Sequence, residues 1–232
     1  MNPSLAILAF ALILIPVAVG EDSADQLFAR AVSLSTNGSY DQAVVLYDRA
    51  LALDPSNVTI LNNKGSALFN LGRYNESIDL FNQAISLNSS NADAWNLKGF
   101  ALSSGLNKQV EALASLNRAI ELNPNYANAW ANKGLTLAKL GQPELALDSF
   151  DTALKLNSKD PLVWNNRGVV LRSQGMYQEA LDSFNRALQL NPSYYVAEQN
   201  RDLTIQDMDY AEYNEMDDIL TASRKAQGTD MS

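Results

Sequence analysis

Two periods run through this chain, one inside the other. The inner period is helical: from Leu27 onward, apolar residues fall at i, i+4 and i+7 with polar residues between them, the spacing of one face of an α-helix. The outer period is a repeat of 34 residues. Trp95, Trp130 and Trp164 stand 35 and 34 residues apart, and Gly99, Gly134 and Gly168 follow each by four. Carried backward, the same register pairs Leu61 with Gly65 and Leu27 with Ala31. Five units result, beginning at Ala24, Val58, Ala92, Ala127 and Pro161. Position 11 of each holds Leu34, Leu68, Leu102, Leu137 and Leu171, and position 27 holds Ala50, Ala84, Ala119, Ala153 and Ala187.

Each unit predicts two helices. Positions 4, 8 and 11 form the apolar stripe of the first, which places Trp130 in the core, so that Trp130→Ala is expected to cost about 3–5 kcal/mol. Glycine at position 8 admits a closely packed partner helix. Gly38, Gly72, Gly141 and Gly175 suit the left-handed residue that ends a helix. Tyr40, Tyr74 and Tyr177 then open the second helix, and Tyr47, Phe81, Phe150 and Phe184 fill its inner face. Asp41, Glu76, Glu144 and Glu179 fall in its first turn, where the helix dipole favours acids. Asp160-Pro161 reads as a cap followed by a first-turn proline. Unit 3 is one residue longer around Gly105-Leu106-Asn107-Lys108-Gln109 and lacks the Tyr, so its turn must differ.

This set of Trp, Leu, Gly, Tyr, Ala, Phe and Pro resembles the tetratricopeptide repeat family over residues 24–194. The resemblance implies an all-α, right-handed superhelical solenoid of helix–turn–helix units (24–57, 58–91, 92–126, 127–160, 161–194). Residues 195–232 would then supply a capping helix and an acidic tail. It also implies that the first helices line a concave groove. Position 6 there gives Asn63, Asn132 and Asn166, with Leu97 breaking the row, and position 5 gives Asn62, Asn96 and Asn165. A carboxamide donates and accepts, so such a row could hold the backbone of an extended peptide. Position 6 is read equally well as the family's packing residue. Position 5 departs from the family's usual residue, which favours an exposed binding role. Phe69 and Phe100 point the same way, and Leu135 and Val169 suit packing against the next unit. The cations Lys64, Lys98, Lys133 and Arg167 at position 7 face the neighbouring unit, not the groove centre, so the family's clamp for C-terminal carboxylates is not reproduced.

Charge and chemistry narrow the reading further. The net charge is −9. Residues 24–194 carry 15 acids and 14 bases, while residues 195–232 carry 9 acids and 3 bases. A neutral body with an acidic tail opposes a nucleic-acid partner, since phosphate binding needs a basic face. The chain has no Cys and no His, which removes disulfides, thiol nucleophiles and imidazole chemistry. No phosphate loop, nucleophile elbow or dinucleotide fingerprint occurs, so no catalytic residue, cofactor or metal is assigned. Asp207-x-Asp209-x-x-Glu212 lacks the glycine and the spacing of a calcium loop.

Residues 1–20, MNPSLAILAFALILIPVAVG, hold an apolar run from Leu5 to Val19. It is short for a membrane span of ~20 residues and suits a secretory signal ending at Gly20, or else an uncleaved anchor. Either exports the body, secreted or held at the cell surface. Four glycosylation sequons stand at Asn37, Asn57, Asn75 and Asn88, each at a turn or helix end. In the tail, Tyr210, Tyr213 and Leu220 recur at near-helical spacing among acids. The expected function is that of a non-catalytic adaptor or scaffold that binds an extended protein segment in its groove. The alternatives are a self-associating element of a cell-envelope assembly and an accessory subunit of an envelope or glycan-processing enzyme.

Overall fold

The computed structural model describes residues 22–226, with side chains through residue 223. The signal or anchor assigned to residues 1–20 lies outside the described residues. Eleven α-helices follow one another, joined by short turns, and no strand occurs among the described residues. Five antiparallel pairs come first: α1 (Ala24–Thr36) with α2 (Tyr40–Leu53), α3 (Val58–Asn70) with α4 (Tyr74–Leu87), α5 (Ala92–Phe100) with α6 (Gln109–Leu122), α7 (Ala127–Lys139) with α8 (Pro143–Leu156), and α9 (Pro161–Ser173) with α10 (Tyr177–Leu190). The last helix, α11 (Tyr195–Ala226), runs unbroken for 32 residues. No described helix is long and apolar enough to cross a membrane.

The local chemistry explains the punctuation. Ser23 opens α1 with a reciprocal capping box to Gln26, and the side chains of Asn57, Asn91 and Asp160 accept backbone N–H groups at the starts of α3, α5 and α9. Gly38, Gly72, Gly141 and Gly175 take φ of 78°, 75°, 70° and 72°, the left-handed turn that reverses the chain between paired helices.

Packing within a unit depends on the bare backbone at position 8. A Cβ on Gly65, Gly134 or Gly168 would meet the ring of Phe81, Phe150 or Phe184 at 2.6–2.8 Å, and one on Gly99 would meet Leu116 at 2.6 Å. These rings, with Tyr47, are fully buried and seat the second helix on the first. The tryptophans behave differently from the sequence expectation. Trp95, Trp130 and Trp164 are only half-buried. Each indole N–H donates to a carbonyl six residues earlier: Ser89 at 3.0 Å, Pro124 at 2.9 Å and Ser158 at 3.0 Å. The indole therefore ties down the turn entering its own unit, while the phenyl ring of the second helix fills the core.

In unit 3 the extra residue is absorbed by a π-helical turn, Ala101–Gly105, and Asn107 takes the positive φ of 55° that glycine takes elsewhere. Gln109 replaces the expected tyrosine and is buried, exchanging hydrogen bonds with Ser103. The Ser103 carbonyl also accepts from Lys139 Nζ at 3.2 Å, and Thr136 donates to the Ser103 hydroxyl at 3.1 Å, so the irregular turn is fastened to the next unit.

At the far end, Ala197 and Thr204 of α11 are buried, Asp207 pairs with Arg172 at 2.6 Å, and every residue from Asp209 to Ser223 is exposed.

Candidate functional site

The first helices line one face of the array, and two cavities lie along it. The first, of about 190 Å³, sits between units 2 and 3 against Ser66, Phe69, Asn70, Leu97 and Phe100. The second, of about 370 Å³, extends into units 4 and 5 against Asn128, Asn132, Leu135, Leu162 and Asn166. Leu97 and Phe100 border both, so the two form one trough. Phe69 stacks on Phe100 with ring centroids 4.9 Å apart and on Tyr74 at 5.2 Å, in the tilted geometry that aromatic pairs favour. No Lys or Arg lines either cavity, and the single carboxylate is Asp160, which caps α9. The trough offers apolar surface and neutral amides.

The position 6 asparagines Asn63, Asn132 and Asn166 are half-buried; Asn132 and Asn166 border the larger cavity, Asn63 borders neither and donates to the Thr59 carbonyl of its own helix at 2.8 Å, and Phe69 and Phe100 wall the trough. The position 5 asparagines are more deeply set, and of the three only Asn96 borders a cavity, the larger one. Asn62, Asn96 and Asn165 are only 7%, 4% and 4% exposed, which overturns the expectation of free side chains in the groove. The cause is the lean of each first helix onto the next. Asn132 Nδ2 donates to Asn96 Oδ1 at 2.9 Å, and Asn200 Nδ2 on α11 donates to Asn165 Oδ1 at 2.8 Å. Position 6 of unit 4 thus closes onto position 5 of unit 3, and the matching asparagine of α11 onto position 5 of unit 5. The position 5 amides reach forward in turn, Asn62 to Asn91 Oδ1 at 3.4 Å and Asn96 to the Tyr126 hydroxyl at 3.3 Å. Burial, and next to it the Asp93 carboxylate, push the Tyr126 phenol well above its ordinary range, which keeps it a neutral hydroxyl. These contacts form a ladder of carboxamides that joins units together. Only the comparison of position 5 with position 6 across neighbouring units could have suggested it.

Leu135 half-packs against the unit 4–5 core and also borders the larger cavity, whereas Val169 is 44% exposed beside Ser173 and Gln174. The position 7 cations lie between second helices. Where the preceding unit offers Asp at position 25, the cation pairs with it: Lys64 with Asp48 at 2.6 Å and Arg167 with Asp151 at 2.7 Å. Where that residue is Asn82 or Asn117, Lys98 and Lys133 instead sit over Trp95 and Trp130, 5.4 and 5.2 Å from the ring centroids.

Three of the four sequon asparagines, Asn37, Asn75 and Asn88, are exposed. Asn57 is engaged at both ends, its Oδ1 accepting from the Ile60 N–H and its Nδ2 donating to Asp54 at 2.8 Å.

Three family models match the chain. Two described as tetratricopeptide repeat cover residues 28–92 and residues 127–160 with 161–194, and one described as TPR repeat covers residues 106–141. No curated protein matches. Among solved structures, the chain resembles TTC0263, a thermophilic TPR protein of Thermus thermophilus, at 23% identity and TM-score 0.71, over 79% of this chain and all of that one. It resembles YrrB, described as a TPR protein with an unusual peptide-binding site, at 27% identity and TM-score 0.56, over 79% of this chain and 94% of that one. A MamA fragment from Desulfovibrio magneticus RS-1 aligns at 21% identity and TM-score 0.61, over 76% of this chain and 99% of that one. With five helix pairs in phase and family models on both halves, the chain belongs to the tetratricopeptide repeat family.

Proposed function

We propose that this protein is an exported, non-catalytic adaptor that holds an extended segment of a partner protein along the trough of its first helices. The observation that carries the reading is the trough itself, a continuous concave surface of Phe69, Leu97, Phe100 and Leu135 edged by the amides of Asn128 and Asn166. Apolar surface left open in a line, with hydrogen-bonding groups at its rim, suits a polypeptide in extended form. The peptide-binding site named for YrrB supports the same use of a related fold. Because the lining is almost uncharged, affinity rests on apolar burial and neutral hydrogen bonds, and salt has little to screen.

The test is site-specific photo-crosslinking. A photoreactive side chain at Asn70, Asn128 or Asn166 should trap the same partner segment at successive points along its sequence, in the order of the units. The same group at Asp79, exposed on a second helix, should trap none of it. Equal capture from both faces would remove the groove reading.

Export follows from the apolar run Leu5–Val19. N-terminal sequencing of protein recovered outside the cytoplasm should begin at Glu21, and an intact Met1 in a form that needs detergent would establish an anchor instead.

A further inference from the structure

One of the three position 5 asparagines lacks a donor from the following unit. Among the position 5 asparagines, Asn96 and Asn165 each have their Oδ1 satisfied by the position 6 asparagine of the following unit. For Asn62 the following position 6 residue is Leu97, and Asn62 Oδ1 is buried with no hydrogen-bond partner. The orientation of this amide is fixed, because Asn91 Oδ1 already accepts the Ala94 N–H and so can receive only the Nδ2 side of Asn62. A buried carbonyl without a donor is destabilising, and asparagine at position 97 would supply one, as Asn132 does in unit 4 and Asn200 on α11. Leu97 therefore works against the packing of Asn62.

What Leu97 provides instead is visible in the trough. It borders both cavities, with Phe69 and Phe100 in the smaller and with Phe100, Asn132 and Leu135 in the larger. A polar carboxamide there would divide one apolar surface into two. Residues that break a local rule while remaining compatible with the fold cluster where function demands them.

We infer that Leu97 is the specificity-determining residue of the groove: it replaces a ladder asparagine, at the expense of Asn62, to floor the point where the bound segment inserts a bulky uncharged side chain. The inference rests on the groove reading above and deepens it. The occupant is an extended segment of a partner protein that presents Leu, Ile or Phe beside Phe69 and Phe100. The lining holds no Lys or Arg to pair with an acidic anchor residue, and its one carboxylate, Asp160, borders only the larger cavity, away from Phe69.

The experiment compares wild type, Leu97→Asn and Leu97→Ala by thermal melting and by NMR titration. The probes are a synthetic uncharged heptapeptide, Ser-Leu-Ser-Phe-Ser-Leu-Ser with blocked ends, and its variants with Ala or Asp at the centre. Leu97→Asn should raise the melting temperature by about 2–4 °C, because Asn62 gains its donor. It should also bind the Phe-centred probe about tenfold or more weakly, the equivalent of a largely lost apolar contact. Leu97→Ala should weaken binding similarly and lower the melting temperature. If Leu97→Asn melts as low as Leu97→Ala, the interrupted ladder is not the reason for the orphan group and the inference falls. If wild type prefers the Phe-centred probe and Leu97→Asn binds it equally well, Leu97 is not the determinant, while the groove reading survives. If wild type binds no probe in the trough but crosslinks a partner there, the anchor chemistry assigned here is wrong. If it does neither, the groove reading falls as well.

Discussion

Phe150→Ala should lower the unfolding free energy by about 3–5 kcal/mol, the range for removing a large buried ring. Phe150 is 0% exposed, and its ring lies against the bare backbone of Gly134 in the fourth pair. The cavity would open where α7 and α8 join, and in a solenoid that loss spreads to the adjoining interfaces. Urea titration followed by circular dichroism measures it. Trp130→Ala is the informative companion. Its indole is half-buried and anchors the turn at Pro124, so its removal should cost less, about 1–3 kcal/mol. A Trp130 variant as damaging as the Phe150 variant would return the tryptophan to the core.

The second large effect belongs to the ladder. Asn96→Ala combined with Asn165→Ala should destabilise the protein by about 2–6 kcal/mol, since each removes a buried acceptor from a carboxamide donor, at about 1–3 kcal/mol apiece. The two sites lie in different units and share no partner, so the losses should add. Asn62→Ala should be the mildest of the three, because its Oδ1 has nothing to lose. Equal losses at all three positions would show that the cross-unit bonds contribute nothing. Unchanged stability in the double variant, with weakened binding of a partner, would put these side chains in the groove after all.

Much of the fold was legible because repetition makes each position a measurement taken five times. The glycines at positions 8 and 15 declare their roles through a missing Cβ and a ready positive φ. The site was legible only in part. Phe69 and Phe100 could be placed by helix phase alone. Asn62, Asn96 and Asn165 could not, because a helical wheel gives the direction of a side chain on its own helix and not the lean of the next helix over it. The tryptophans misled for a related reason. A large aromatic on an apolar stripe reads as core, yet its N–H needs a carbonyl, and the nearest lies in the exposed turn six residues back. In unit 3 the length of the turn announced an irregularity. Its form, a π-helical turn held from the next unit by Lys139 and Thr136, depends on contacts more than thirty residues away in sequence.

The final helix leaves the array at Met208 and continues to Ala226 with Tyr210, Tyr213, Met216, Ile219 and Leu220 facing water. At 1.5 Å per residue this free stretch is about 27 Å long. Its root is clamped by Arg172 to Asp207 and by Asn200 to Asn165, beside the end of the trough. A rod of fixed length rooted at the end of the proposed groove would act as a ruler: whatever met its far end would be held a set distance from whatever lay in the groove. Lengthening or shortening it by whole turns would move two bound molecules apart or together without altering the affinity of either.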